Sequence, residues 1–185
     1  VAVLPIYTYG SVVLRKKTKP IVEVDDAIIK LIYDMFDTMN NAKGIGLAAN
    51  QVGESVSLAV LDLSGMEEYK DTKPMVLINP EIVTTSGKSV LEEGCLSIPG
   101  IREEVTRAET IRVRFKDPDM DEKELTCNGL LARAIQHEVD HLNGVLIIDY
   151  LSAIKRKLLR GELNKIKRGE VEADYPLMQP VKVNG

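Results

Sequence analysis

The chain's two histidines stand four residues apart in the run Gln136-His137-Glu138-Val139-Asp140-His141-Leu142, and no other histidine occurs in the 185 residues. On a helix, a spacing of four puts both imidazoles on one face, where they can close on a single metal ion. In H-E-x-x-H sites the glutamate after the first histidine acts as a general base on metal-bound water. The bland alternative is a pair of solvated or core histidines on an ordinary amphipathic helix. Two histidines also leave the site incomplete, because a catalytic zinc-type site has three protein ligands and keeps one position open.

The surrounding residues predict the helix that the histidines need. Asn128-Gly129 opens it, Leu130, Leu131, Ala134, Ile135 and Leu142 recur at helical spacing, and Gly144 is placed to end it. Upstream, Asp25 and Asp26 favour a helix start, and Ile28, Leu31, Ile32, Met35, Phe36 and Met39 carry that helix to about residue 41. Strands are predicted at 55–62, 75–79, 81–85, 110–116 and 122–126, the last two joined as a hairpin through Asp117-Pro118-Asp119. Val145 to Tyr150 reads as a short apolar strand. A last helix is predicted over 152–168, followed by an irregular tail over 169–185.

Composition bounds the class. Hydrophobic residues make up 44% and charged residues 28%, with no Trp and two Phe, so the core must be built from Val, Ile and Leu, which favours β structure. The expectation is one α+β domain over 1–185. Mixed or antiparallel sheets would pack around a central metal-binding helix, with an N-terminal and a C-terminal helix besides. A net charge of -4 argues against a DNA-binding protein. No apolar run has the ~20 residues of a membrane span, and no signal peptide pattern is present. Two cysteines are too few for a disulfide framework, so a cytoplasmic setting is expected.

The best third ligand is Cys95, in Glu92-Glu93-Gly94-Cys95-Leu96-Ser97-Ile98-Pro99-Gly100, a stretch that reads as a loop or short edge strand with an accessible backbone. A thiolate with two imidazoles is a tetrahedral set suited to Zn²⁺ or Fe²⁺. Taken alone, Cys95 is more simply a small buried hydrophobe, as is Cys127. A third stretch, Gly44-Ile45-Gly46-Leu47-Ala48-Ala49-Asn50-Gln51, allows close backbone approach. It follows no strand and lacks the third glycine of a dinucleotide fingerprint, so a Rossmann reading fails.

These three stretches, in this order, resemble the peptide deformylases, and the resemblance runs from Leu4-Pro5-Ile6 to the helix after Asp149-Tyr150-Leu151-Ser152. The resemblance implies that Cys95, His137 and His141 bind one divalent metal, iron(II) in cells and often zinc, nickel or cobalt in purified material. It implies that Glu138 handles the proton while Gln51 and the Leu96 N–H hold the formyl oxygen. The substrate would be an N-formylmethionyl nascent peptide, losing formate. Gly44, Ile45, Gly46, Gly94 and Leu130 would line the peptide and its methionine side chain, with Glu93 and Arg102 supporting the site from behind. Asp140 would only solvate the helix face. Asn50 stands where many family members have threonine. A zincin-type endopeptidase would need a later His or Glu ligand, and no later histidine exists. A structural metal module would need Cys127 as a fourth ligand, yet ten residues of helix separate it from His137 by ~15 Å. The helix over 152–168 carries seven basic residues against Glu162 alone. That asymmetry fits either a solvated surface or, as in some deformylases, docking on ribosomal RNA.

Overall fold

A computed structural model describes residues 1–180; residues 181–185, the end of the expected tail, lie outside the described part. Helix α1 (Asp26–Asn41) starts where Asp25 accepts a hydrogen bond from the Ile28 N–H at 2.9 Å, and its Ile32, Met35 and Met39 stripe is buried. Seven strands follow the α1 end: β1 (Gly46–Ala48), β2 (Leu58–Leu61), β3 (Met75–Ser86), β4 (Ser89–Cys95), β5 (Ile98–Arg107), β6 (Thr110–Lys116) and β7 (Glu122–Asn128). Five form one antiparallel sheet in the order β1-β2-β3-β6-β7, and β4-β5 form a separate antiparallel pair. Helix α2 (Gly129–Leu142) carries the histidine motif, and α3 (Ala153–Lys167) closes the order with Ser152 as its N-cap.

Three large apolar clusters and a small one, Ala48, Ala59 and Leu142, hold these elements among the described residues. Helix α1 packs its stripe on Leu47, Leu58, Val60 and Ile78. Helix α2 places Ala132, Ala134, Ile135 and Val139 against Leu61, Leu77, Ile111 and Val113 of the large sheet. The small sheet turns Ile98, Ile101 and Val105 towards Leu146, Ile147 and Ile148 and towards Leu163 and Ile166 of α3. Helix α2 therefore lies on the large sheet with one face and looks towards the small sheet with another.

The structure departs from the sequence expectation at three places. The strands expected at 75–79 and 81–85 are one strand, β3, bent by register shifts between Ile78 and Glu81, where Asn79 takes φ 51°, and between Ile82 and Thr84. The run expected as a strand before Tyr150 is instead a 3₁₀ turn, Ile147–Tyr150. Asp149 selects the turn by accepting from the Leu146 N–H at 2.9 Å while Arg15 holds its carboxylate. Finally, the Cys95 stretch takes the edge-strand form of its two expected ones, as the end of β4, but it pairs with a strand that was not expected, β5. Pairing passes from Gly94↔Arg102 to Cys95↔Ile98, so Pro99, Gly100 and Ile101 bulge out of β5. Such irregularities re-aim side chains beside active sites.

Candidate functional site

Along α2, Leu130, Ala134, His137 and His141 fall on one helical face, the face turned towards the end of β4. There the Cys95 Sγ lies 3.2 Å from the His141 Nε2, which lies 3.2 Å from the His137 Nε2. All three donor atoms lie within 4.8 Å of one another. Two ligands on one tetrahedral cation with bonds of 2.0–2.3 Å stand roughly 3.3–3.7 Å apart, so the donors fit a divalent ion with almost no movement. Gly144 ends the helix at φ 77°, and a Cβ there would stand 2.7 Å from the Arg15 carbonyl oxygen, so glycine is required.

The orientation of His137 is fixed from behind. Its Nδ1 lies 2.9 Å from the Glu93 Oε1, which makes Nδ1–H the donor and leaves the Nε2 lone pair facing the other ligands. Glu93 is buried and held by two arginines: Arg107 donates through Nε at 2.6 Å and Nη2 at 3.0 Å, and Arg133 donates through Nη1. Arg107 also donates to the Asp140 Oδ2 at 2.8 Å, where the Tyr150 hydroxyl donates too. Burial raises the Glu93 pKa, but hydrogen bonds from His137 and Arg107 and their charge outweigh it and pull the carboxyl down to about 2. The imidazoles diverge. Burial lowers both, but in His137 hydrogen bonds with Cys95 and Glu93 reverse the shift, whereas His141 stays well below its ordinary value.

Glu138 projects to the side of this donor set. It is 4% exposed, and its Oε2 has no hydrogen-bond partner among the described residues. Burial pushes its pKa up to about 7, with the neighbouring charges partly cancelling. A buried carboxyl without a partner costs stability, and such a group in a cleft is a candidate for proton transfer. Gly46 is what admits it, since a Cβ on Gly46 would stand 2.8 Å from the Glu138 Oε1. Gln51 sits in the 3₁₀ turn after β1, with its Oε1 accepting from the Ala48 N–H at 3.0 Å. Its Nε2 donates to the Ser97 Oγ at 3.1 Å and lies 3.9 Å from the Cys95 Sγ. A cavity of about 620 Å³ opens over these groups, bordered by Gly44, Ile45 and Gly46 on one side, Glu93, Gly94 and Leu96 on the other, and Leu130 and Ala134 at the helix.

Of the two residues expected to support the site from behind, Glu93 makes contact with His137 and Arg102 does not. It is exposed at the cavity edge and pairs with Glu92 at 2.8 Å. Asp140 does more than solvate the helix, being bound to Arg107 and Tyr150. Cys127 is half-buried on β7 and is no part of the donor cluster. The sequence reading missed Arg107 and Arg133. Arg133 left a signal, a charge on the inward side of the apolar run Leu130-Leu131-Ala132-Arg133-Ala134-Ile135; Arg107 left none.

A family model described as polypeptide deformylase matches residues 3–157. The peptide deformylase of Chlorobaculum tepidum is 49% identical over 179 residues, covering 97% of this chain and 96% of that protein. The peptide deformylase of Salinibacter ruber is 50% identical over 184 residues, covering 95% and 94%. Among solved structures, the peptide deformylase of Legionella pneumophila superposes with a TM-score of 0.83 at 44% identity, over 91% of this chain and 98% of that one. The enzyme of Ehrlichia chaffeensis in complex with actinonin gives 0.83 at 38% identity, over 93% and 100%.

Proposed function

The chain belongs to the peptide deformylase family, and on that premise we propose how its own residues remove the formyl group from the N-terminus of a nascent peptide. The observation that carries the reading is the convergence of Cys95, His137 and His141 beside the unpartnered carboxyl of Glu138, at the head of an open groove. A divalent metal held by those three side chains supplies Lewis acidity, polarising the formyl carbonyl and making water nucleophilic near neutral pH. We assign iron(II) as the native ion, with zinc, nickel or cobalt able to replace it, since imidazole and thiolate donors accept all four.

Glu138 takes the proton of the attacking water on its Oε2 and delivers it to the departing amine. A carboxyl poised near neutrality suits both halves of that transfer. The formyl oxygen gains negative charge as the carbonyl becomes tetrahedral. The Gln51 Nε2 and the Leu96 N–H donate to it, each worth roughly 3–4 kcal/mol of the barrier. Gln51 is pre-oriented by Ala48 and Ser97, so it does not reorganise during the reaction. The peptide lies extended between Gly44–Gly46 and Glu93–Leu96, with backbone groups on both sides, Ile45 and Gly94 foremost. Its first side chain enters the apolar part of the cavity beside Ile45, Leu130 and Ala134. Formate released from a formyl-Met peptide by the metal-loaded protein tests the reading; absence of release at full metal occupancy overturns it.

We place the enzyme in the cytoplasm, where its substrate leaves the ribosome, and we assign α3 as the ribosome contact. Arg156, Lys157 and Arg160 line a groove of about 340 Å³, whereas Arg15 in the same groove pairs with Asp149, and Lys155 and Arg168 pair with Glu103 and Glu170. Phosphate neutralisation by these cations makes binding fall steeply with salt. Co-sedimentation with ribosomes that is unaffected by removing residues 152–185 from a folded enzyme would leave α3 a surface helix only.

A further inference from the structure

The backbone groups around the formyl oxygen are tied down by the two chain ends. Leu96 and Ser97 make the tight turn between β4 and β5, and both of their carbonyls are bound from outside the hairpin. The Ser97 carbonyl accepts from the Tyr9 N–H at 2.8 Å, and the Leu96 carbonyl accepts from the Tyr175 hydroxyl at 2.7 Å. Gln51 is held in the same manner, its carbonyl accepting from the Tyr7 N–H at 2.7 Å. Tyr175 belongs to the tail, beyond the residues matched by the family model. The tail is anchored next to it by a parallel bridge to the N-terminal segment, Ile6 N–H to the Pro176 carbonyl at 2.9 Å and Met178 N–H to the Ile6 carbonyl at 2.8 Å.

We infer that Tyr175 is a positioning residue for deformylation: its hydroxyl fixes the Leu96 carbonyl and thereby the direction of the Leu96 N–H that meets the formyl oxygen. The inference rests on the role assigned to Leu96 above. One residue links the two peptide planes, and a turn residue whose carbonyl is free can rock about its own bonds, carrying its N–H off line. An oxyanion donor is effective because it is already aimed when charge develops. The Tyr175 ring also lines the cavity and packs in the same apolar cluster as Leu96 and Leu177. Packing alone would explain the ring but not the aim of its hydroxyl.

Tyr175→Phe separates the two, because it keeps the ring and removes only the donor. In the zinc-loaded full chain, kcat on a formyl-Met peptide should fall about tenfold, a fraction of the roughly 10²–10³-fold cost of losing an oxyanion donor outright. KM should stay within about twofold and metal content should stay complete. The Leu96 amide resonance should shift and its hydrogen exchange accelerate. An unchanged kcat overturns the inference. So does a rise in KM alone, which would make Tyr175 a substrate contact, and so does a kcat loss that tracks metal loss, which would make it a support for Cys95. Gln51→Ala, measured in parallel, isolates the underlying reading. If it costs less than tenfold, the oxyanion assignment itself fails; if it costs more while Tyr175→Phe costs nothing, only the role of Tyr175 falls.

Discussion

Helix α2 has two buried faces built by opposite rules. Towards the large sheet it presents Ala132, Ile135 and Val139, which pack into an apolar cluster with Leu61, Leu77, Ile111 and Val113. Towards the small sheet it presents Arg133, His137, Asp140 and His141, which meet Glu93, Arg107, Cys95 and Tyr150. The first face gains from every ångström of apolar surface removed from water. The second buries charges, and paired buried charges roughly break even against apolar packing of the same shape. The apolar face therefore secures the helix, and the polar face consumes stability to hold the His137 imidazole in one tautomer and direction. Glu138 is the extreme case, a buried carboxyl left without a partner at neutral pH.

That contrast is most sharply tested at Glu138. Glu138→Gln keeps the shape and removes the proton acceptor. The metal should stay bound and kcat should fall by at least about 10²–10⁴-fold, the usual worth of general acid–base catalysis. Thermal stability should hold or rise, since the variant relieves an unpaired acid. Near-normal turnover in the metal-replete variant would remove Glu138 from the chemistry.

Arg107→Met should damage both fold and site. It takes the shared guanidinium from two carboxylates, leaving Glu93 to Arg133 and His137 and Asp140 to the Tyr150 hydroxyl. Breaking a buried ion pair from one side costs about 3–5 kcal/mol, readable by urea titration. Glu93 would also lose one of the supports that fix His137, so metal affinity should weaken roughly 10–100-fold. A variant that unfolds more easily yet binds metal normally would uncouple the network from the site.

Ile135→Ala probes the apolar face, where the side chain is fully buried. The loss should be about 2–5 kcal/mol of stability, with kcat of the folded, metal-loaded molecule unchanged within about twofold. A large kcat effect would show that the two faces are not separable.

The two faces were unequally legible in the sequence. Apolar spacing in α1 and α2, the Asp25 cap, Gly144 and the 110–126 hairpin are local signals, and each led to the right element. The histidine spacing likewise led to the donor set. What went unread depends on partners distant in sequence. Arg107 is identifiable only once β5 brings it beside Glu93, 14 residues away along the hairpin. Strand β5 itself was hidden because Pro99-Gly100 looks like a stop, whereas pairing with β4 absorbs those residues as a bulge. Tyr175 stands 79 residues from the carbonyl it meets, and nothing in its neighbourhood announces the contact.

A buried carboxylate outside the site completes the comparison. Asp34 on α1 accepts from Lys30 and from the Ala2 N–H at 2.8 Å, and its side chain is 4% exposed. The hydrogen bond from Lys30 lowers its pKa; burial opposes this, while the Ala2 N–H and the nearby positive charges add to it. Because the folded value lies below the ordinary 3.8, the contribution to stability is complete above that pH and is lost as pH falls through the folded value. Asp34→Asn should therefore melt below the parent enzyme near neutrality, by less than the Arg107 and Ile135 variants. The gap should narrow once the pH drops below about 3.8 and close further down, while kcat at neutral pH stays unchanged. A gap that is constant down to the acid limit would mean that Asp34 acts through shape and hydrogen bonding that asparagine also lacks when the acid is protonated. A fall in kcat would mean that the N-terminal segment it anchors reaches the site through Tyr7 and Gln51, and the line between a structural and a catalytic buried charge would have to be redrawn.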